Sequence, residues 1–218
     1  MTLQQSNALN KGIKLKKVCI LNYGSGNVKS VKNALDRIGV ESYISNDVNA
    51  LRSSSHIVLP GVGAFGSAMK RIQECLPLNE IENQVFNHEK PYLGICVGMQ
   101  VLSERGYEHG LYKGLGWLSG CEVIENTKQI RQPHIGWNSV SIREKSPILF
   151  DIEDHSDFYF VHSYIMTCLD KSYTIGETDY GKKFPSIVRS RNIFGVQFHP
   201  EKSQENGLQL LRNFCSIE

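Results

Sequence analysis

With 218 residues, 40% of them hydrophobic and 21% charged, the chain has material for one sizeable α/β domain with its own core and little room for a second. Its 24 basic and 22 acidic residues leave a formal charge of +2, which makes no electrostatic case for nucleic acid or a membrane surface. Six cysteines, at 19, 75, 96, 121, 168 and 215, contain no C-x-x-C pair; zinc and thioredoxin-type sites are poor fits, no metal or cofactor is expected, and disulfides are not implied in what reads as a reducing cytoplasm.

Residues 1–15 have no continuous apolar stretch and no cleavage-site pattern, so they are expected to be a polar extension ahead of a single domain over 16–218. No apolar run approaches the roughly 18 residues of a membrane span. KVCILNYG (17–24) is a short apolar run ending in glycine, the pattern of a buried strand. In NVKSVKNALDRIG (27–39), Val28, Val31, Leu35 and Ile38 share one helical face and Gly39 is a fitting stop. ESYISN (41–46) and HIVLPG (56–61) read as the next two strands, the second opening into the glycine-rich GVGAFG. A helical stretch follows over about 64–88, broken at Pro77. KPYLGIC (90–96) is a fourth strand, after which VGMQVLSERG turns helical.

This alternation predicts a doubly wound, mostly parallel α/β sheet of flavodoxin-like type. Beyond about 115 the pattern changes. CEVIE, WNSVSIR, FYFVHSYIM, YTIGETDY, SIVRSR and FGVQF read as strands joined by short turns, expected as antiparallel additions to the same sheet. GLQLLRNFCSI (207–217) closes the chain as a helix with Leu208, Leu211 and Phe214 inward.

In such folds the chemistry sits in the loops at the carboxyl ends of the parallel strands. Three of these loops carry reactive residues. Cys96 lies between Gly94 and Gly98 in G-x-C-x-G, the form of a nucleophile elbow. The thiol then projects from a strand end at a helix N-terminus, where the dipole favours the thiolate. A small packing cysteine is the commoner fate of a free thiol, but it needs no glycine on either side. FGVQFHPEKS (194–203) delivers His199 and Glu201 to another strand end. Their i, i+2 spacing in extended chain, with Pro200 between, points an imidazole and a carboxylate the same way. Alone, H-P-E is mostly coincidence. LPGVGAFG (59–66) supplies Gly61, Val62 and Gly63, a loop whose N–H groups are free to face an anion, or simply a tight turn. Each signal is modest alone; together they compose a cysteine nucleophile, a His–Glu pair and an anion loop.

On these motifs the chain resembles the class I, or triad, glutamine amidotransferases. NYGSGN (22–27), LPGVGAF (59–65), LGICVGMQ (93–100), PHIGWN (133–138), YFVHSY (159–164) and QFHPEKS (197–203) are similar, more narrowly, to the glutaminase subunits of imidazole glycerol phosphate synthase, in order and from about residue 16 to the end. The resemblance implies that Cys96 is the nucleophile, His199 the general base and acid, and Glu201 the carboxylate that orients it. It implies that Gln100 and the Ser163–Tyr164 backbone hold L-glutamine, and that Gly61, Val62, Gly63 and the Val97 N–H form the oxyanion hole. Val97 is a departure, leucine being more usual, but only its backbone is used. Asn27, Trp137, Tyr159, His162 and Lys202 match positions toward a partner, a (β/α)8-barrel cyclase that takes the ammonia in a heterodimer. A loop as rich in glycine as 61–63 is expected to be unformed until the partner binds.

Taken on their own, Trp137 and Tyr159 read as ordinary core or rim aromatics, His162 as a satisfied core histidine, and Lys202 as a solvated charge. Cys19, Cys75, Cys121, Cys168 and Cys215 read as packing cysteines. Rival functions are a cysteine hydrolase of peptides or esters, which leaves YFVHSY and PHIGWN unexplained, and a non-catalytic binding subunit, which leaves the intact Cys96, His199 and Glu201 unexplained. Closer rivals keep the chemistry and change the acceptor: a sugar amidotransferase of surface-polysaccharide synthesis or, more distantly, an anthranilate-synthase-type partner.

Overall fold

The structure, a computed structural model, describes residues 16–126 and 130–218. The expected polar extension over 1–15 lies outside the described residues. The first half alternates as its hydrophobic periods demand: β1 (Lys17–Ile20), α1 (Val28–Arg37), β2 (Glu41–Ile44), α2 (Val48–Ser53), β3 (His56–Gly61), α3 (Phe65–Cys75), α4 (Leu78–Glu82), β4 (Tyr92–Cys96) and α5 (Val97–Gln100). In α1 the buried residues are Val28, Val31, Ala34 and Leu35, one face of a helical turn repeated. Each large side chain so buried contributes about 1.5–3 kcal/mol. Gly39 follows at φ 76°, a conformation glycine adopts without strain. Pro77 separates α3 from α4, which widens into a π turn over Asn83–Asn87.

Two expectations fail here. α2 was not foreseen between β2 and β3; it buries only Leu51, so it has almost no periodic signature, and its visible mark is Asp47, whose carboxylate accepts from the N–H groups of Asn49 and Ala50. The helix expected after Cys96 shrinks to the single turn of α5, after which the chain leaves in turns.

The second half holds β5 (Arg105–Gly106), β6 (Tyr112–Lys113), β7 (Cys121–Glu125), β8 (His134–Ile142), β9 (Ser156–His162), β10 (Tyr164–Cys168), β11 (Thr174–Tyr180), β12 (Lys182–Ser190), β13 (Ile193–Val196) and α6 (Gln204–Ser216). The main sheet has the order β2-β1-β3-β4-β13-β12-β11-β8-β9. From β2 to β13 its neighbours are parallel, and from β13 outward they are antiparallel. FGVQF is therefore not an antiparallel addition: β13 lies parallel to β4 and completes the parallel core. CEVIE does not join this sheet at all. A second sheet, β10-β7-β5-β6, holds it. FYFVHSYIM is two strands, β9 and β10, that part at Ser163 into different sheets.

The two-sheet arrangement also overturns the reading of Cys121 and Cys168 as packing thiols. The β7–β10 register sets them directly opposite, with Cα atoms 4.1 Å apart, and they form a disulfide. A separation of 47 residues and an unforeseen strand pairing hid this from the sequence. Cys19, Cys75, Cys96 and Cys215 are free, and all but Cys75 are buried. α6 packs Leu208, Leu211 and Phe214 inward as expected. No helix among the described residues is long and apolar enough to cross a membrane.

Candidate active site

β3, β4 and β13 lie side by side at the centre of the sheet, and their carboxyl ends converge. In the β3–β4 register Gly61 pairs with Cys96, and in the β4–β13 register Val196 pairs with Ile95. Cys96 thus ends the middle strand, with the glycine loop of 61–63 on one side and the His199 turn on the other.

Cys96 sits at φ 54°, ψ −110°, a strained conformation for a residue with a Cβ, of a kind that costs on the order of 1–3 kcal/mol. The flanking glycines permit it. A Cβ on Gly98 would collide with the carbonyl of Leu59 in β3, and one on Gly94 with the carbonyl of Gly98. The elbow is therefore real, although a four-residue helix supplies less dipole than a long one would.

His199 Nδ1 and Glu201 Oε1 are 2.8 Å apart, both side chains fully buried. The geometry that joins them is not the extended strand anticipated. β13 ends at Val196, and Pro200–Lys202 forms a 3-10 turn that brings Glu201 back beneath the ring. Ser203 pins this turn: its Oγ donates to His199 O at 2.7 Å and accepts from Tyr159 N–H at 3.0 Å. Burial alone would pull the His199 pKa down, but the charge and hydrogen bond of Cys96, then those of Glu201, outweigh it and raise it from 6.5 to about 10. The protonated ring is thus favoured beside Cys96 and Glu201. With Nδ1 on Glu201, the buried Nε2 is the ring atom available to move protons at the sulfur.

A cleft of about 290 Å³ opens above the sulfur, lined among others by Val62, Gly63, Gln100, Ser163 and Tyr164. A larger groove, of about 690 Å³ around Leu149 and Phe150, contains no cysteine and lies on other elements. Gln100 is buried; its Nε2 donates to Tyr164 O at 3.0 Å and to Gln197 Oε1 at 3.1 Å. Two residues at this site were not singled out in the sequence. Gln197 is fully buried and donates toward Cys96 Sγ at 3.8 Å. Glu108 lines the cleft, its Oε2 accepting the Phe65 N–H at 2.7 Å. Glu108 stands in no patterned run and Gln197 opens QFHPEKS with no role of its own there, and only the folded chain brings them to Cys96.

A family model for class I glutamine amidotransferases matches residues 19–217. The chain belongs to this family. Within it, the chain is similar to the imidazole glycerol phosphate synthase subunit HisH of Aquifex aeolicus, 45% identical over 89% of this chain and 94% of that one. It is also similar to subunit HisH 1 of Campylobacter jejuni strain RM1221, 41% identical over 92% of this chain and all of that one. Among solved structures, PurLQS from Thermotoga maritima superposes with a TM-score of 0.73 at 20% identity, covering 91% of this chain and 97% of that chain, which speaks for the fold.

In this amidotransferase one donor of the loop that was expected to face an oxyanion is engaged elsewhere. The Val62 N–H donates to Ser25 Oγ at 3.1 Å, and the Val62 side chain is 37% exposed. The remaining predicted residues divide into two groups. Trp137, Tyr159 and Lys202 gather on one face: Trp137 and Tyr159 pair across β8 and β9 with ring centroids 6.0 Å apart, and Lys202 Nζ lies 5.7 Å over the Tyr159 ring. Asn27 and His162 are instead buried. Asn27 binds Glu201, and His162 binds His134 and the Tyr164 carbonyl.

Proposed function

We propose that this chain is a glutaminase subunit that hydrolyses L-glutamine to glutamate and ammonia and hands the ammonia to a (β/α)8-barrel cyclase subunit, which makes imidazole glycerol phosphate and AICAR in histidine biosynthesis. The observation that carries the chemistry is Cys96, held at a strained elbow against the buried His199–Glu201 pair in a cleft the size of an amino acid. The full-length similarity to HisH subunits supports the pathway and the partner.

Cys96 thiolate attacks the carboxamide carbon, and the electron pair of the C=O bond moves to oxygen. The Val97 N–H, with the Val62 N–H once it leaves Ser25, would hold that oxyanion; such donors are commonly worth a few kcal/mol each. As the tetrahedral adduct collapses, His199 gives its proton to nitrogen and ammonia leaves. Water, deprotonated by His199, then attacks the glutamyl thioester; glutamate departs and the thiolate returns. Glu201 keeps the ring oriented throughout. At the far end of the substrate, Glu108 offers a negative charge to an α-ammonium, while Gln100 braces the Ser163–Tyr164 backbone beneath the rest of the amino acid.

Free ammonia is mostly protonated at neutral pH and then no nucleophile, which favours direct transfer to a second site. The Trp137–Tyr159–Lys202 face is the docking surface this reading assigns to the cyclase. A cytoplasmic heterodimer fits a glutamine-fed biosynthetic step. In a reducing compartment the Cys121–Cys168 bond would open, and β7 and β10 would remain joined by their five-residue register. The test is glutamate release from glutamine by the purified chain with and without the cyclase. Turnover that needs Cys96 and rises with the cyclase supports the reading, and turnover that needs neither contradicts it.

A further inference from the structure

The PHIGWN motif places His134 and Asn138 on β8, and the roles given to the triad and cleft leave both unused. Their partners run in one direction. His162 Nδ1 lies 3.0 Å from Tyr164 O, and a carbonyl only accepts, so Nδ1 carries the proton. His162 Nε2 lies 3.1 Å from His134 Nδ1, so in the neutral ring it accepts and His134 Nδ1 carries the proton. His134 Nε2 then accepts from Asn138 Nδ2 at 3.3 Å, and Asn138 also donates to Asp179 O at 3.0 Å.

The surroundings keep this chain rigid and uncharged. The His134 ring is stacked between Tyr180, at 3.9 Å and 11°, and Phe160, at 4.9 Å and 15°. Phe184 stands edge-on to both imidazoles. The titratable groups bearing on the pair are each ring on the other, Tyr180 on His134, and His199, whose charge disfavours a proton on His162. Burial, then the His134 charge, lowers the His162 pKa to about 3, and burial lowers that of His134 to about 4.

The chain ends on the Tyr164 carbonyl, the atom that also receives Gln100 Nε2. That carbonyl lies at the corner where β9 gives way to β10 beside Ser163, which lines the cleft. We propose that Asn138, His134 and His162 form a one-way hydrogen-bond relay that positions the Ser163–Tyr164 corner for glutamine, making His134 and His162 positioning residues for substrate binding. The proposal rests on the glutaminase reading for its substrate. Its predicted effect falls on binding, because the corner meets the amino-acid end of glutamine and not the reacting carbon.

Two measurements on the full chain test it. In long-range ¹H–¹⁵N correlation spectra at pH 7, His134 and His162 are expected as neutral Nδ1–H tautomers, unchanged down to pH 5. The Nε2–H tautomer, or a charged ring, at either residue overturns the relay. In steady-state hydrolysis by the cyclase-bound chain, His134→Phe keeps the stacking but leaves His162 Nε2 without a donor and is expected to raise KM about tenfold with kcat within about twofold. His134→Asn, whose amide replaces the Nδ1–H, is expected to restore KM. An unchanged KM in His134→Phe, or an equal rise in both variants, overturns the proposal. The tautomers need no turnover, so a chain inactive on glutamine contradicts the functional reading while the spectra still decide the relay.

Discussion

Asn27 Nδ2, just ahead of α1, donates at 3.1 Å to Oε1 of Glu201, 174 residues later in the chain. The same oxygen receives His199 Nδ1 at 2.8 Å, while Oε2 is buried with no partner. The carboxylate that orients the imidazole is therefore itself oriented, by the loop that follows β1. Asn27→Ala is expected to lower kcat for glutamine about tenfold with KM nearly unchanged, since it loosens the triad and leaves the cleft alone. Steady-state kinetics of the complex check this, and a pure KM effect would contradict it.

Ser25 joins this network to the loop of 61–63. Its Oγ donates to Asn27 Oδ1 at 2.7 Å and accepts the Val62 N–H at 3.1 Å. While it does so, Val62 cannot serve an oxyanion. Ser25→Ala removes that acceptor and is expected to raise glutamine hydrolysis by the isolated chain about tenfold, shrinking the activation by the partner. Unchanged basal turnover would show that Ser25 does not restrain the loop.

The protonated state of His199 depends on its neighbours. Burial opposes the charge, and the interaction with Cys96 is the first that overrides it. In Cys96→Ala the ring is expected to titrate well below the value of about 10 in the parent chain, with Glu201 alone left to resist burial. NMR titration of the His199 ring in both proteins checks this. A titration unmoved by the substitution would mean that Glu201 holds the proton.

Three other histidines act on stability in the opposite sense. His56, His134 and His162 are buried, with pKa values lowered from 6.5 to about 4, 4 and 3, burial being the main cause in each. Their folded pKa lies below the unfolded one, so the unfolded chain binds more protons as pH falls. The stability they support is present above pH 6.5 and lost progressively below it. At about 1.4 kcal/mol per pKa unit, the three together withdraw on the order of 5–6 kcal/mol between pH 7 and pH 5. His199 is raised instead, so its share is complete below pH 6.5 and fades as pH rises toward about 10. Urea unfolding at pH 7 and pH 5 is expected to show the acid loss, with a smaller loss in His56→Phe.

The first four strands of the parallel core were legible because β1, β3 and β4 are apolar runs and the helices carry clear one-sided periods, as in α1 and α6, while β13 was taken for an antiparallel addition because FGVQF follows a series of short strands. The elbow at Cys96 was legible because backbone crowding at Gly94 and Gly98 writes itself as glycine. α2 escaped because six residues with one buried leucine make no period. The second sheet escaped because FYFVHSYIM reads as one strand, and only the corner at Ser163 sends its halves to different sheets. The Cys121–Cys168 bond went unseen with that sheet. Glu108 was missed because its neighbours in space are distant in sequence and no motif type announces a lone carboxylate; Ser25 and Gln197 stood inside NYGSGN and QFHPEKS, where nothing in the pattern marks them as contacts of Val62 and Cys96.

The most direct measurement is glutamate release from glutamine by the purified chain, alone and with the barrel cyclase and a cyclase ligand, beside Cys96→Ala. Turnover that appears with the cyclase and falls to background in Cys96→Ala is the expected result. Turnover that persists without Cys96, or that stays at the level of the isolated chain when the cyclase is added, would contradict the assignment of a triad glutaminase serving that partner.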